Sequence, residues 1–316
     1  MVSLDELRAA QAALAGRIHR TPLFGSRTLG ERTGASVFLK AELLQKTGSF
    51  KVRGALNKIR SLSPDEKARG FVAVSAGNHA AALGWAASQE GARATVVMPA
   101  NASRSKVDAS RGYGTDVVLH GTVFEAFEKM EALRAERGLT LVHPYDDAHV
   151  IAGQGTVGLE VMEDVPAADV VVVPVGGGGL ISGIAAAVKA LRPAARVYGV
   201  EPTGAAALSA GLEAGHPVRL ERVQTIADGL AAPATGALVL EHVRAFVDDV
   251  VLLTDDEIAV GLRFLLERAK LLAEPAGAAA VAALLAGRIP VRPGQTVVAI
   301  VSGGNVDLAR LKELLP

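Results

Sequence analysis

The sequence predicts an α/β fold in which open, mostly parallel, twisted sheets carry helices on both faces. Short β-branched runs alternate along the chain with longer alanine-rich segments of helical spacing. Several runs are apolar on consecutive residues, which is typical of strands that helices cover on both faces. Strand–helix–strand repetition with short links implies right-handed crossovers, and such units build an open α/β sheet.

The individual elements follow from the same patterns. The clearest predicted strands are short apolar runs, namely Phe71–Val74, Ala94–Met98, Asp169–Val175, Arg196–Val200 and Thr296–Val301. The predicted helices repeat apolar residues every three to four positions, and they are Lys51–Ile59, Ala80–Gln89, Thr122–Arg137, Leu180–Leu191 and Asp255–Leu272. No internal repeat of fixed period interrupts this alternation.

The composition indicates a globular chain that acts on a small molecule. Its 316 residues are 50% hydrophobic and 21% charged, enough for two lobes with their own cores. Basic and acidic side chains number 33 each, so no charge excess favours nucleic acid or a membrane surface. The chain has no cysteine, no apolar run of bilayer length and no signal-peptide pattern, so we expect a cytoplasmic protein.

Three loops that follow predicted strands are candidates for a ligand site. Ser75–His79 (SAGNH) follows the first predicted strand, Gly176–Gly179 follows the third, and Ser302–Asn305 (SGGN) follows the last. Ligands of open α/β sheets bind outside the carboxyl ends of the strands. We therefore expect the three loops to meet at one cleft.

Gly176–Gly179 predict a phosphate site. Four consecutive glycines at a strand-to-helix turn leave backbone N–H groups free to bind an anion. A simple tight turn is the alternative. A nucleotide P-loop does not fit, because Leu180–Ser182 provide neither its lysine nor a magnesium-binding hydroxyl at the required spacing. A dinucleotide site is disfavoured by the late position of the glycines, although Glu201 has the spacing of a ribose-binding acid.

Lys51 is the candidate nucleophile. A buried amine has a lowered pKa, so its neutral form becomes accessible and can form imines with carbonyls such as pyridoxal phosphate. The alternative is an ordinary surface lysine on the predicted helix. A phosphate loop and a reactive lysine in one chain indicate pyridoxal phosphate as the cofactor.

The chain resembles the fold-type II pyridoxal-phosphate enzymes, specifically the threonine and serine dehydratases with serine racemase. The resemblance covers nearly the whole chain and keeps the order and spacing of its motifs. These are KTGSFKVRGA from Lys46, SAGNHAAAL from Ser75, IAGQGT from Ile151, PVGGGGLISG from Pro174, GVEP from Gly199, IADG from Ile226, EPAGA from Glu274 and SGGN from Ser302.

The resemblance implies a tryptophan synthase β-like architecture with two sheets. Residues 1–69 and 148–316 would form a large domain that binds pyridoxal 5′-phosphate, and residues 70–147 a small, mobile domain that binds substrate. It also implies a homodimer or homotetramer. The regulatory domain of biosynthetic threonine dehydratases is not expected, because the chain ends soon after SGGN.

The resemblance also implies roles for the motif residues. Lys51 would be the catalytic lysine that binds the cofactor as an imine, with Phe50 packed against the cofactor. Asn78 would bind its 3′ oxygen and Ser302 its ring nitrogen. The phosphate would be held by Gly176, Gly177, Gly178 and Gly179, and the substrate carboxylate by Ser75, Ala76, Gly77, Asn78 and His79. Ordinary turn chemistry is the alternative for Asn78 and Ser302.

The implied reaction is a carbon–nitrogen lyase reaction. L-Threonine would give 2-oxobutanoate and ammonia, and L-serine would give pyruvate and ammonia. Since a neutral hydroxyl at Ser302 cannot keep the ring nitrogen protonated, elimination is favoured over transamination. Threo-3-hydroxyaspartate dehydratase and serine racemase are the alternatives, but Ala76 stands where racemases have a serine, and a methyl group cannot move a proton.

Other assignments carry less support. The divalent metal site of racemase-like members is not expected, because Glu201 and Ala205 match it but Ala207 replaces its second acid. Asp228 and Glu274 would lie near the cleft or simply belong to turns. A nicotinamide-dependent oxidoreductase and a non-catalytic amino-acid-binding protein remain as distant alternatives.

Overall fold

A computed structural model of the chain describes residues 1–102 and 104–315. The strands are β1 (Leu23–Gly25), β2 (Ser36–Ala41), β3 (Phe71–Val74), β4 (Ala94–Met98), β5 (Thr115–Leu119), β6 (Thr140–Leu141), β7 (Val170–Pro174), β8 (Arg196–Pro202), β9 (Asp249–Leu253) and β10 (Thr296–Val301). The α-helices are α1 (Leu4–Leu14), α2 (Arg27–Thr33), α3 (Lys51–Ser61), α4 (Pro64–Arg69), α5 (Asn78–Gln89), α6 (Arg104–Gly112), α7 (Val123–Arg137), α8 (Ala148–Asp164), α9 (Gly179–Leu191), α10 (Ala207–Ala214), α11 (Ala237–Phe246), α12 (Asp255–Phe264), α13 (Pro275–Leu285) and α14 (Leu308–Leu314).

The strands form two sheets, which confirms the predicted fold class. The larger sheet has the order β1-β2-β10-β7-β8-β9, and the smaller has the order β5-β4-β3-β6. Every strand pair is parallel except β1 with β2, which is antiparallel. The smaller sheet lies wholly within residues 70–147, and the larger sheet lies outside that range.

The core lies on both faces of the larger sheet, as the consecutive apolar residues predicted. All five residues of β7 are buried, and its alternate side chains enter two different clusters. Val170 and Val172 pack toward α12 and α13, whereas Val171 and Val173 pack toward α8 and α9. This burial on both sides is the arrangement expected of a central parallel strand.

One predicted element ends differently in the structure. The predicted helix Asp255–Leu272 ends at Phe264, and a π-helical turn follows over Leu265–Ala269. Lys270 then adopts the left-handed conformation with φ 60° and stops the helix. The break redirects the chain, so that the backbone N–H of Glu274 can donate to the carbonyl oxygen of Gly303. The helical periodicity extends past Phe264 because Leu265 and Leu271 also face the core.

Helix α3 lies between the two sheets. Its apolar side chains, Val52, Ala55, Leu56 and Ile59, belong to the core of the smaller sheet with Phe71. Its opposite side touches α8, where Gly54 allows close approach: a Cβ there would lie 2.8 Å from the carbonyl oxygen of Val150. The helix that begins at Lys51 therefore contacts both halves of the molecule.

Candidate active site

Lys51 is the first residue of α3, directly after a tight turn. Thr47 and Gly48 both have positive φ, 58° and 72°, so the chain reverses before Ser49 and Phe50. Glycine adopts this region freely, whereas threonine does so at a cost, and such conformations are often found at functional sites. The glycine–serine step before the lysine is therefore a turn that starts a helix.

This turn is bonded to the loop that contains Ser302. The backbone N–H of Phe50 donates to the carbonyl oxygen of Ser302 over 3.1 Å, and that of Gly304 donates to the carbonyl oxygen of Gly48 over 2.9 Å. The Ser302 side chain is buried. The structure thus brings KTGSFK and SGGN together. The strand-end argument had linked SGGN to SAGNH and the glycine loop, and it did not include KTGSFK.

The amine of Lys51 is held in a partly buried position with a lowered pKa. Its Nζ donates to the carbonyl oxygen of Pro144 over 2.9 Å and lies 5.2 Å from the centroid of the Phe50 ring. Burial lowers the pKa of Lys51 to about 8, although the carboxyl of Glu274 opposes this shift. A substantial fraction of the amine is therefore neutral near physiological pH, as nucleophilic or base chemistry requires.

The glycine loop forms a cradle at the start of α9. Gly178 has φ 91°, and a Cβ on Gly179 would lie 2.9 Å from the Cα and carbonyl oxygen of Tyr145. A Cβ on Gly177 would overlap the Tyr145 ring. Since Tyr145 directly follows Pro144, the loop and the Lys51 amine both contact one short segment. Side chains are excluded here while helix N–H groups remain, which fits a phosphate.

The SAGNH loop supplies polar groups at the start of α5. Ser75 Oγ accepts a hydrogen bond from the N–H of Gly77 over 3.2 Å, and Asn78 occupies the first helical position. The side chain of His79 is buried and its Nε2 bonds the carbonyl oxygen of Val142 over 2.8 Å. Burial lowers the pKa of His79 to about 3, so the imidazole is neutral and only its backbone can face a ligand in the loop.

Glu274 is a site residue to which sequence reasoning gave little weight. Asn78 Nδ2 donates to its Oε1 over 2.7 Å, and Asn305 Nδ2 donates to Asn78 Oδ1 over 2.8 Å. Burial, together with the nearby carboxylate of Asp228, raises the pKa of Glu274 to about 8. The EPAGA motif was a signal for it, but only the fold shows that residue 274 meets SAGNH and SGGN.

Two further side-chain contacts cross the cleft between the halves of the molecule, besides those of Asn78 with Glu274 and Asn305. Lys106 of α6 pairs with Asp228, for which the sequence had left both a cleft position and an ordinary turn open. The guanidinium of Arg219 lies 4.5 Å from the ring centroid of Phe124, at the start of α7. Neither Lys106 nor Arg219 was singled out by the sequence, because each partner is about a hundred residues away.

The other polar candidates have local roles. The carboxylate of Glu201 accepts from the N–H groups of Leu208 and Ser209 and from the Ser209 hydroxyl, so it caps α10. His143 Nδ1 accepts from the N–H of Asp146 over 2.8 Å. Within residues 1–102 and 104–315, no cluster of three or more His, Asp or Glu side chains could hold a metal ion.

The fold and the site define a class of enzyme: an α/β protein in which a lysine of lowered pKa adjoins a phosphate cradle. The glycine cradle and the Lys51 amine of lowered pKa fit pyridoxal 5′-phosphate. A family model described as pyridoxal-phosphate dependent enzyme matches residues 14–303, and the chain belongs to this family. Across the described part of the chain, no helix is long and apolar enough to span a membrane.

Individual relatives are similar over the full chain. The chain is 46% identical over 316 residues to the L-threonine ammonia-lyase of Thermotoga maritima, covering 100% of this chain and 78% of that protein. It is 44% identical over 315 residues to the L-threonine dehydratase catabolic TdcB of Escherichia coli K12, covering 99% and 96%. The structure of maize serine racemase matches with a TM-score of 0.95 at 39% identity, covering 99% and 96%.

Proposed function

We propose that this protein is a threonine ammonia-lyase, which converts L-threonine to 2-oxobutanoate and ammonia and L-serine to pyruvate and ammonia. The observation that carries the proposal is the Lys51 amine of lowered pKa beside a glycine cradle, in a chain 44–46% identical along its length to threonine dehydratases.

Lys51 is the acid–base group of the proposed reaction. When bound, pyridoxal phosphate supplies an electron sink for the carbanion formed at the substrate α-carbon. The neutral Lys51 amine, once free of the cofactor, can accept the α-proton of the substrate. Because its pKa is lowered toward physiological pH, part of the amine is deprotonated there and is still basic enough to accept the α-proton.

The loops around Lys51 would bind and orient the reactants. The cradle of Gly176–Gly179 and the start of α9 would hold the cofactor phosphate. Phe50 would pack against the cofactor, Asn78 would bind its 3′ oxygen and Ser302 its ring nitrogen. Ser75–His79 would bind the substrate carboxylate through the N–H groups at the start of α5, with Asn78 the only amide side chain among them.

Dehydration is favoured over racemisation by Ala76. A racemase needs a proton donor on the face of the substrate opposite Lys51, and the methyl group of Ala76 supplies none. The similarity to maize serine racemase makes racemisation the second candidate function. Ser302 offers a neutral hydroxyl, which favours loss of the β-hydroxyl over transfer of the amino group.

Three broader features belong to the same proposal. Residues 70–147 would form a small domain that closes on substrate against residues 1–69 and 148–316, and the Lys106–Asp228 contact supports such closure. The enzyme would be cytoplasmic. It would assemble as a homodimer or homotetramer, with a hydroxy amino acid as its small-molecule partner.

A substrate panel tests the proposed function. Purified enzyme loaded with pyridoxal phosphate is given L-threonine, L-serine and threo-3-hydroxyaspartate, and keto-acid release is measured while chiral chromatography follows serine enantiomers. We expect 2-oxobutanoate from threonine as the fastest product and no measurable D-serine. Lys51→Ala should lose the visible absorbance of the bound cofactor together with turnover. D-Serine formation faster than keto-acid release would instead identify a racemase.

A further inference from the structure

A series of hydrogen bonds runs through the site from the turn before Lys51 to Glu274. The carbonyl oxygen of Thr47 accepts from Asn305 Nδ2 over 2.7 Å. The same Nδ2 donates to Asn78 Oδ1 over 2.8 Å, and Asn78 Nδ2 donates to Glu274 Oε1 over 2.7 Å. Two amides are thus held between a backbone carbonyl and a carboxyl group.

The direction of this series is fixed at its first member. A backbone carbonyl can only accept, so Asn305 has to present its NH₂ group to Thr47. The same NH₂ group also donates to Asn78, so Asn78 has to accept with Oδ1. Its Nδ2 then points toward Glu274. The Thr47 carbonyl is itself held by an unusual backbone, since Thr47 and Lys270 are the two non-glycine residues with positive φ in the described chain.

Glu274 is equally constrained at the other end. Its side chain is only 4% exposed, and its backbone N–H donates to the carbonyl oxygen of Gly303 over 3.1 Å. A Cβ on Gly303 would overlap the Glu274 carboxyl and would lie 3.3 Å from Asn78 Nδ2. The carboxyl group therefore lies directly beside the loop of Ser302, where one of its oxygens can accept from Asn78 in either protonation state.

We propose that Glu274 and Asn305 are positioning residues, which fix the Asn78 amide so that an N–H, and not its carbonyl oxygen, faces the 3′ oxygen of the cofactor. The inference rests on the proposed function, because it requires that Asn78 contacts the cofactor. Asn78 Nδ2 has two hydrogens, and within the described residues Glu274 takes one. The second N–H stabilises negative charge on the 3′ oxygen, whereas an amide oxygen there would repel it.

Two substitutions act on the amide from opposite ends. Glu274→Leu removes the acceptor that holds Asn78 Nδ2. Asn305→Asp replaces a donor with a carboxylate, which draws Asn78 Nδ2 away and leaves Asn78 Oδ1 toward the cofactor. In holoenzyme, both should shift the visible absorption band and its pH titration in the same direction. Asn305→Asp, which favours the reversed amide, should weaken pyridoxal-phosphate binding roughly tenfold, the effect of losing one hydrogen bond of about 1.4 kcal/mol. Glu274→Leu should weaken binding less, because Asn305 still donates to Asn78 Oδ1.

Conservative variants separate positioning from simple stability. Glu274→Gln keeps an oxygen acceptor and should keep the wild-type band, and Asn305→Ala should shift the band less than Asn305→Asp because Glu274 still holds the amide. Glu201→Gln is the matched control, since Glu201 is another buried, hydrogen-bonded glutamate that caps α10 outside the site. It should lower the melting temperature and leave the band unchanged.

The outcomes are distinct. Wild-type spectra and cofactor affinity in both Glu274→Leu and Asn305→Asp would overturn the inference, as would equal shifts in Asn305→Asp and Asn305→Ala. If Glu274→Leu does not fold, the difference between the visible bands of Asn305→Asp and Asn305→Ala tests the inference by itself. A wild-type protein that binds no pyridoxal phosphate would refute the proposed function, whereas a loaded wild type with unaffected variants would refute only this inference.

Discussion

At the scale of single residues, burial shifts the pKa values of two side chains in opposite directions. It lowers the pKa of Lys51 and raises the pKa of Glu274, in each case to about 8, because burial disfavours the charged form of both. Charged groups that face Glu274 act on it as well: Asp228 raises its pKa, whereas Lys106 and Lys51 lower it. Both groups therefore change charge close to physiological pH.

The raised pKa of Glu274 predicts a pH-dependent stability. Between pH 4.5 and 8 the folded state binds a proton at Glu274 that the unfolded state releases, so the free energy of unfolding falls as pH rises through this window. The slope from this group approaches about 1.4 kcal/mol per pH unit. In apoenzyme, Glu274→Gln should remove that part of the slope, as urea unfolding at pH 5, 6, 7 and 8 can measure.

The matched control for this measurement is Glu213→Gln, which changes a glutamate on the exposed side of α10. Its unfolding free energy should parallel that of the wild type across the series. Parallel curves for Glu274→Gln and wild type would show that Glu274 is ionised in the folded protein at neutral pH.

At the scale of elements, α3 is anchored by a buried charge cluster made of Lys40, Glu42, Arg53 and Glu160. All five guanidinium N–H donors of Arg53 are used, on Glu42, Glu160 and the Thr156 hydroxyl, at 2.7–3.0 Å. Lys40 Nζ donates to Glu160 over 2.6 Å. The cluster ties β2 and α8 to α3 two residues beyond Lys51, and its two positive and two negative groups balance.

Removing Arg53 should therefore destabilise the protein strongly. Arg53→Met leaves Glu42 buried without its main partner, and breaking such a pair costs about 3–5 kcal/mol. Chemical denaturation should show this loss. Arg20→Met is the matched control, because Arg20 pairs with Glu163 and Asp164 at the surface and exposed pairs contribute about 1 kcal/mol or less. Equal losses in both variants would contradict the argument.

At the scale of the whole molecule, the sequence predicted the strands of the sheets better than the polar contacts between distant segments. Consecutive valines identified β4 and β7 because burial on both faces leaves a local pattern. The strand-end rule then brought SAGNH, the glycines and SGGN to one cleft. Strands β1, β2, β5, β6 and β9 were not among the clearest runs. The prediction wrongly extended α12 to Leu272, whereas the helix ends at Phe264. The π-helical turn that follows leaves no break in the apolar spacing.

The polar partners within the site could not be derived from spacing. Glu274 reaches Asn78 only because the chain turns after Lys270. Lys106 reaches Asp228 only because two segments far apart in the chain meet in the fold. Such pairs depend on tertiary geometry, which has no period along the chain. Motif resemblance indicated the neighbourhood of these residues, while their hydrogen bonds required the fold.

The packing of helix α3 should make the unfolding of the whole protein cooperative. Val52 and Ile59 pack in the core of the smaller sheet, while Arg53 is bonded to elements of the larger one. Melting either half would strip partners from this helix, so we expect apoenzyme to give one calorimetric transition whose van't Hoff and calorimetric enthalpies agree. Two resolved heat-absorption peaks would contradict this. Melting of either half should therefore also disrupt the segment that holds the Lys51 amine.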